Sequence, residues 1–308
     1  MSADFSLHLF ILIGVFLLLS LSAHLLIGEA GQLSLAQAGF FAVGAYSTAI
    51  FTTNSAGMFV PGTVVGIILG AVVGGILGVP AIRIGADYLA IATLAAGEII
   101  RSYANVSSLT GASFGISIPA PRIGGLSLDS KRWYAVLVWG AATLAILWLR
   151  AIRRRRFGLA LNAVREDEIA ALSMGYRVPR LKVQVFAVSG AMGALAGSLY
   201  VGYMLYIDSR VFSAMLAINI LVIVVLGGVG SILGVVTATA VYVLLPEVLS
   251  EFSSYRDVAY GAALVLVMLV RPLGLVPERR PRSPDGTAAR RGMPLRWARA
   301  VGLGSGHG

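Results

Sequence analysis

The stretch Gly28–Phe41 reads GEAGQLSLAQAGFF and sets Glu29, Gln32, Ser34 and Gln37 between two apolar runs, FSLHLFILIGVFLLLSLSAHLLI and AVGAYSTAIF. One carboxylate, two carboxamides and a hydroxyl among Gly28, Gly31 and Gly39 suit two tasks. They can hydrogen-bond a neighbouring helix, or they can line a polar route through apolar surroundings. Glu98 is the second acidic residue in an apolar setting, within LAAGEIIRSY, and Arg101 follows three residues on. The two can pair on one helix face. An ionisable group inside a membrane is costly and marks function by default, so Glu29 and Glu98 are both candidates for a translocation path. A second glycine-rich break, GGVGSILG, supplies Gly227, Gly228 and Gly230. Interrupted apolar segments at matching places point to a path in transporters built from repeats. Close packing of small residues is the other reading of the same glycines.

Other chemistries are poorly served. The chain has no cysteine and three histidines, none in a His-x-x-x-His pair, so no disulfide and no metal site is expected. No Gly-x-x-x-x-Gly-Lys-Ser/Thr run exists to cradle phosphates. We expect no catalytic residue and no cofactor in this chain.

The elements that must position these residues follow from composition. The chain is 57% hydrophobic and 12% charged, with mean hydropathy +0.86, against about 25% charged residues in soluble domains. This is an all-α integral membrane protein. A spanning helix needs about 20 apolar residues. The runs at 5–27, 35–53, 61–80, 87–104, 133–150, 183–206, 213–228, 231–249 and 256–271 qualify as candidates. The expected architecture is a polytopic bundle of about eight or nine spans, some broken or re-entrant, over residues 1–276. Residues 277–308 form a basic Pro/Gly-rich tail with too little apolar surface to offset its ordering entropy. Its arginines could also touch lipid headgroups.

The net charge of +10 sits mostly in Arg150–Lys182 and Arg271–Arg299. That is the positive-inside pattern, and it predicts both segments, the C-terminus included, on the cytoplasmic side. Residues 105–132 are then external and the turn with Arg83 is internal. The first 27 residues lack the basic n-region of a signal peptide, since Arg83 is the first Lys or Arg in the chain. The N-terminus lies outside if 35–53 spans and inside if it is re-entrant. The external loop 105–132 is long enough for docking or gating, or for a simple cover.

RRRRFGLALNAVREDEIAALSMGYRVPRLK, Arg153–Lys182, is too charged to lie in a bilayer. Leu161, Val164, Glu168 and Ala171 share one helical stripe, and Ile169, Leu172 and Tyr176 an adjacent one. Gly175 can end the helix, and Pro179 bars its continuation. The spacing predicts a short amphipathic helix across residues 160–176. Its acidic cluster disfavours lying on an anionic membrane and favours insertion into a groove of a soluble partner.

REDEIAALSMGYRVPRLKVQVFAVSGAMGALAGSLY closely resembles the loop that couples branched-chain amino acid ABC importer permeases to their ATPase. GEAGQLSLAQAGFFAVGAY, DYLAIATLAAGEIIR, VVLGGVGSILGVV and VMLVRPLGL resemble the same family in the same order, over nearly all of residues 5–276. The likeness is greatest to its M-type permeases. It implies the ABC importer permease fold in a bacterial plasma (inner) membrane. It also implies a second permease, two ATPase subunits that use ATP and Mg, and an external substrate-binding protein. No nucleic acid is implied. Arg165, Glu166, Asp167, Glu168, Ala170, Ala171 and Gly175 would couple to the ATPase. Two departures stand out. Ile169 takes the Glu position of the general Glu-Ala-Ala-x-x-x-Gly signature, with Glu168 one residue early. LTGASFGIS replaces a Gly-Gly-Pro-Asn-Gly-like run in the external loop, which leaves the contact with the binding protein, or its substrate preference, open. Urea, short amides or other small carboxylates are alternative cargoes, and a stand-alone secondary transporter or channel is the alternative machine.

Overall fold

The computed structural model describes residues 3–123, 126–127 and 130–248. The expected span at 256–271 and the 277–308 tail lie outside the described residues. Ten helices carry the described chain: α1 Ala3–His24, α2 Gln37–Asn54, α3 Phe59–Gly78, α4 Ala86–Val106, α5 Lys131–Arg153, α6 Arg156–Glu166, α7 Glu168–Ser173, α8 Val178–Met204, α9 Ala214–Gly227 and α10 Ile232–Val248. By length and composition, Asp4–Glu29, Ala56–Ile82, Lys131–Arg153 and Val178–Met204 can each cross a membrane, while Ala214–Gly227 and Ile232–Pro246 are shorter apolar helices. Residues expected to form the external loop fold into short 3₁₀ turns and two-residue strands. Ile116–Ser117 pairs antiparallel with Tyr206–Ile207, and Arg122–Ile123 with Leu126–Ser127.

The bundle centres on α1 and α8. Their most apolar windows are 78% and 67% buried, whereas those of α3 and α5 are 28% and 22% buried and so belong to its periphery. One face of α3 consists of Gly62, Gly66, Gly70, Gly74 and Gly78, all buried. This stripe lets α3 meet its neighbours at backbone distance: a Cβ at Gly70 would lie 2.5 Å from the Gly190 carbonyl oxygen, and one at Gly74 2.3 Å from that of Phe186. Without a hydrophobic drive inside lipid, such close packing is what holds membrane helices together.

Helix α1 runs parallel to α5. Asp4 approaches Lys131 at 4.0 Å at one end, and Glu29 meets Arg153 at the other. The N-terminal end of α1 therefore lies at the end of the bundle opposite to the arginine-rich end of α5. Helix α2 begins at the level of Ser22 and Ser189, part-way along α1 and α8. The chain enters α2 from within the bundle.

Candidate functional site

The first helix does not stop cleanly. Beyond His24 the chain widens into a π turn, Leu25–Glu29, every residue of which is buried. Turns of this kind are rare and concentrate at functional sites. Gly31 then takes φ +65°, a conformation that disfavours any residue with a Cβ. The non-helical backbone that follows is satisfied by protein, as membrane depth requires. Gln32 N donates to Leu26 O at 2.9 Å, and Leu35 N to Thr93 Oγ1 of α4 at 2.9 Å. Ser34 is buried, and its Oγ accepts from Ala36 N at 3.3 Å. Gln32 is half-buried and donates to Ala30 O at 3.4 Å. Gln37 is occupied by neighbouring helices. Ser22 Oγ donates to its Oε1 at 2.7 Å, its Nε2 donates to Ser189 Oγ at 3.2 Å, and Ser189 Oγ donates to Ser22 O at 2.8 Å. This closed ring joins α1, α2 and α8.

Glu29 is buried, and its carboxylate accepts from Arg153 Nε at the end of α5. His24 Nε2 lies 3.3 Å from the same carboxylate and 3.2 Å from the Arg153 guanidinium. A further N–H of Arg153 donates to the Gly230 carbonyl. A buried carboxylate is tolerable only when paired and hydrogen-bonded, and this cluster supplies both. It also sets how the two glycine-rich breaks meet. The two breaks are linked through the Arg153 side chain. Gly227 instead packs on Gly234, where a Cβ would fall 1.8 Å from the Gly227 carbonyl oxygen. Gly228 and Gly230 take φ +98° and +102°, which turns the chain from α9 into α10.

The charged segment is two helices, not the single helix expected. Asp167 leaves the helical region (φ −156°, ψ 111°), and its Oδ1 accepts from Ile169 N and Ala170 N at 2.9 Å each. An aspartate that caps the next helix so well competes with continuation of the previous one. Gly175 ends α7 as expected. It takes φ +85°, with Gly175 N bonded to Leu172 O and Tyr176 N to Ala171 O, the Schellman pattern. Pro179 sits in the first turn of the next helix, α8, where a missing N–H costs nothing, and starts that helix.

The two predicted stripes separate as inside and outside. Leu161, Val164 and Ala171 are buried, and Val164, Ala171 and Val178 form a small core of their own. Ile169 and Met174 are each 77% exposed, and Leu172, Tyr176 and Ala170 join them on the surface. The charges divide likewise. Glu166 and Asp167 face solvent. Arg165 donates to the Gly28 carbonyl, and a Cβ at Gly31 would sit 2.9 Å from its Cγ. Glu168 accepts from Lys182 Nζ at 2.9 Å; Lys182 is buried and also donates to Ala81 O at 3.0 Å, just past the end of α3. The α6–α7 pair is thus fastened at two points, to the broken end of α1 and to the end of α3. Arg153 and Lys182 are functional candidates that sequence reasoning counted only as cytoplasmic charge; no spacing rule links either to its distant partner.

Glu98 and Arg101 do pair on one face of α4, with Arg101 Nε 2.7 Å from Glu98 Oε1. Their side chains are 41% and 29% exposed on the outside of this chain.

The sequence profile of the family described as branched-chain amino acid transport system, permease component, matches residues 6–271. The chain belongs to this permease family. It is 32% identical over 293 residues to the high-affinity branched-chain amino acid transport system permease protein LivM of Salmonella typhimurium, covering 87% of this chain and 69% of that protein. The LivM protein of Escherichia coli K12 matches to the same extent. The permease protein LivH of Salmonella typhimurium is 30% identical over 182 residues, 56% of this chain and 59% of that protein. No solved structure matches the chain. Within this permease, the Arg153 cluster and the α6–α7 junction unite most of the residues singled out by sequence, whereas Glu98 lies apart from both.

Proposed function

We propose that the chain is one of two permease subunits in an ATP-driven importer of branched-chain amino acids, working by alternating access in a bacterial inner membrane. The observation that carries this reading is the exposed apolar surface of α7, held rigidly on a charged segment. Ile169, Leu172, Met174 and Tyr176 offer a helix-in-groove anchor, and the resemblance to the family's coupling loop implies an ATPase as the partner. ATP and Mg would act in those separate ATPase subunits, and an external binding protein would deliver the cargo. The names of the LivM relatives support branched-chain amino acids as that cargo.

The mechanism follows from the two fastenings. The ATPase binds α7 differently in its open and closed states, and that difference supplies the free energy. Displacement of α7 passes through Glu168 and Lys182 to the end of α3, and through Arg165 to the Gly28 carbonyl at the break in α1. Movement of the α1 break shifts Gly230 through Arg153. Both glycine-rich breaks would thus move with one docking surface.

Ile169→Glu and Met174→Glu test this, because both side chains are exposed and neither supports the fold. The expected result is loss of co-purification with the ATPase subunits and of leucine uptake, with unchanged thermal unfolding of the permease. Retained ATPase binding in both variants overturns the docking assignment. Ala171→Trp is unsuitable: Ala171 is 1% exposed, and a large side chain there breaks the local core.

A further inference from the structure

We infer a binding site for an anionic phospholipid in the cleft between α6 and α8, beside the docking face of α7, with which it shares only Tyr176. Two adjoining cavities form it. One, of about 440 Å³, is lined by Arg156, Arg177, Arg180, Tyr176 and Gln184 among others, and no acidic side chain lines it. The second, of about 430 Å³, is lined by Ile152, Phe157, Gln184, Ala187 and Val188. Phe157 and Gln184 border both, so a basic mouth continues into an apolar groove.

The position is that of a lipid at the membrane boundary. Arg177 and Arg180 flank the start of α8, and Ala187 and Val188 lie about two turns further along it. The basic end therefore sits at headgroup level and the groove descends alongside the spans. All three arginines are exposed, and among the described residues none is in an ion pair. Arginine presents a planar fork that matches phosphate oxygens. Basic pockets between helices on the cytoplasmic side recognise anionic headgroups, and an acyl chain gains by covering Ile152, Phe157 and Val188. An acidic protein segment would satisfy the mouth and leave the groove empty, which is why a lipid is the better occupant. The inference rests on α5 and α8 as spans and stands whatever the cargo.

The test is native mass spectrometry of the purified full-length chain, titrated with dioleoyl phosphatidylglycerol, dioleoyl phosphatidylcholine or soluble glycerol phosphate. We expect retention of phosphatidylglycerol over phosphatidylcholine. Each Arg→Gln change at 156, 177 and 180 should weaken phosphatidylglycerol about fivefold. Val188→Trp, which fills the groove and spares the arginines, should weaken it as well. Thermal unfolding of each variant separates lost binding from lost fold. Equal retention of the two lipids, or indifference to the arginine changes, overturns the inference. So does glycerol phosphate binding as tightly as the lipid, which would mark a free-phosphate site. Arginine variants that keep phosphatidylglycerol but lose the ATPase would assign the mouth to an acidic protein surface and overturn it too. Because the readout is lipid retention, failure here leaves the transport reading intact.

Discussion

Arg153 stands in the last turn of α5, where a cation is favoured by the helix dipole alone. Its guanidinium does more, since it holds the buried Glu29 carboxylate and the Gly230 carbonyl at once. Removing one partner of a buried pair leaves an uncompensated charge, which costs far more than the pair itself contributes. Arg153→Ala should therefore destabilise the permease by about 3 kcal/mol, read as a fall in thermal unfolding temperature in detergent. Adding Glu29→Gln to the same chain should recover part of that loss, because a neutral amide is cheaper to leave buried. Arg153→Lys should fall between, since an ammonium cannot present a fork to two acceptors. If the double variant is no more stable than Arg153→Ala, the carboxylate is not what Arg153 supports.

At the scale of elements, most of the helices were legible and their joints were not. Uninterrupted apolar runs announce α3, α5 and α9, whose bounds differ from the expected spans by no more than a few residues, and the start of α10. The break at Asp167 was hidden because Arg-Glu-Asp-Glu is good helix composition, and only the cap bonds of Asp167 reveal the hinge. The site was legible as two glycine-rich breaks and a docking helix; the arginine and lysine that fasten them were not, because contacts such as Arg153 to Glu29 and Lys182 to Ala81, over a hundred positions apart, leave no local pattern. The α3 glycine stripe was legible in principle, as small residues at every fourth position. It yields a test with an internal control. A Cβ at Gly70 meets Gly190 O at 2.5 Å, while the nearest atom to one at Gly75 is 3.9 Å away. Gly70→Val should abolish accumulation of folded permease in the membrane, and Gly75→Val should leave it within about twofold of the parent, as a small effect on stability allows. Similar loss from both would mean that α3 and α8 do not meet at backbone distance.

At the scale of the whole molecule, α4 carries a contradiction that one chain cannot resolve. Its outer face exposes Ile91 and Ile99, yet Glu98 and Arg101 stand 41% and 29% exposed beside them. An ion pair facing lipid is expensive even when its charges meet, whereas a pair facing protein or a water-filled route is not. The second permease proposed above, set against α4, would remove the difficulty and would put Glu98 and Arg101 at a subunit boundary. A cargo with an apolar side chain needs only weak polar contacts along its path, so Glu98→Gln should lower leucine uptake less than Ile169→Glu does. Cysteine substitution at exposed Ser102, in a chain that has no cysteine of its own, should give a disulfide-linked product with a permease partner bearing a cysteine on its matching helix. Cysteine at exposed Leu144 of α5 should give none. Cross-linking from α5 with none from α4 would put the partner on the wrong face and leave the exposed ion pair without an explanation.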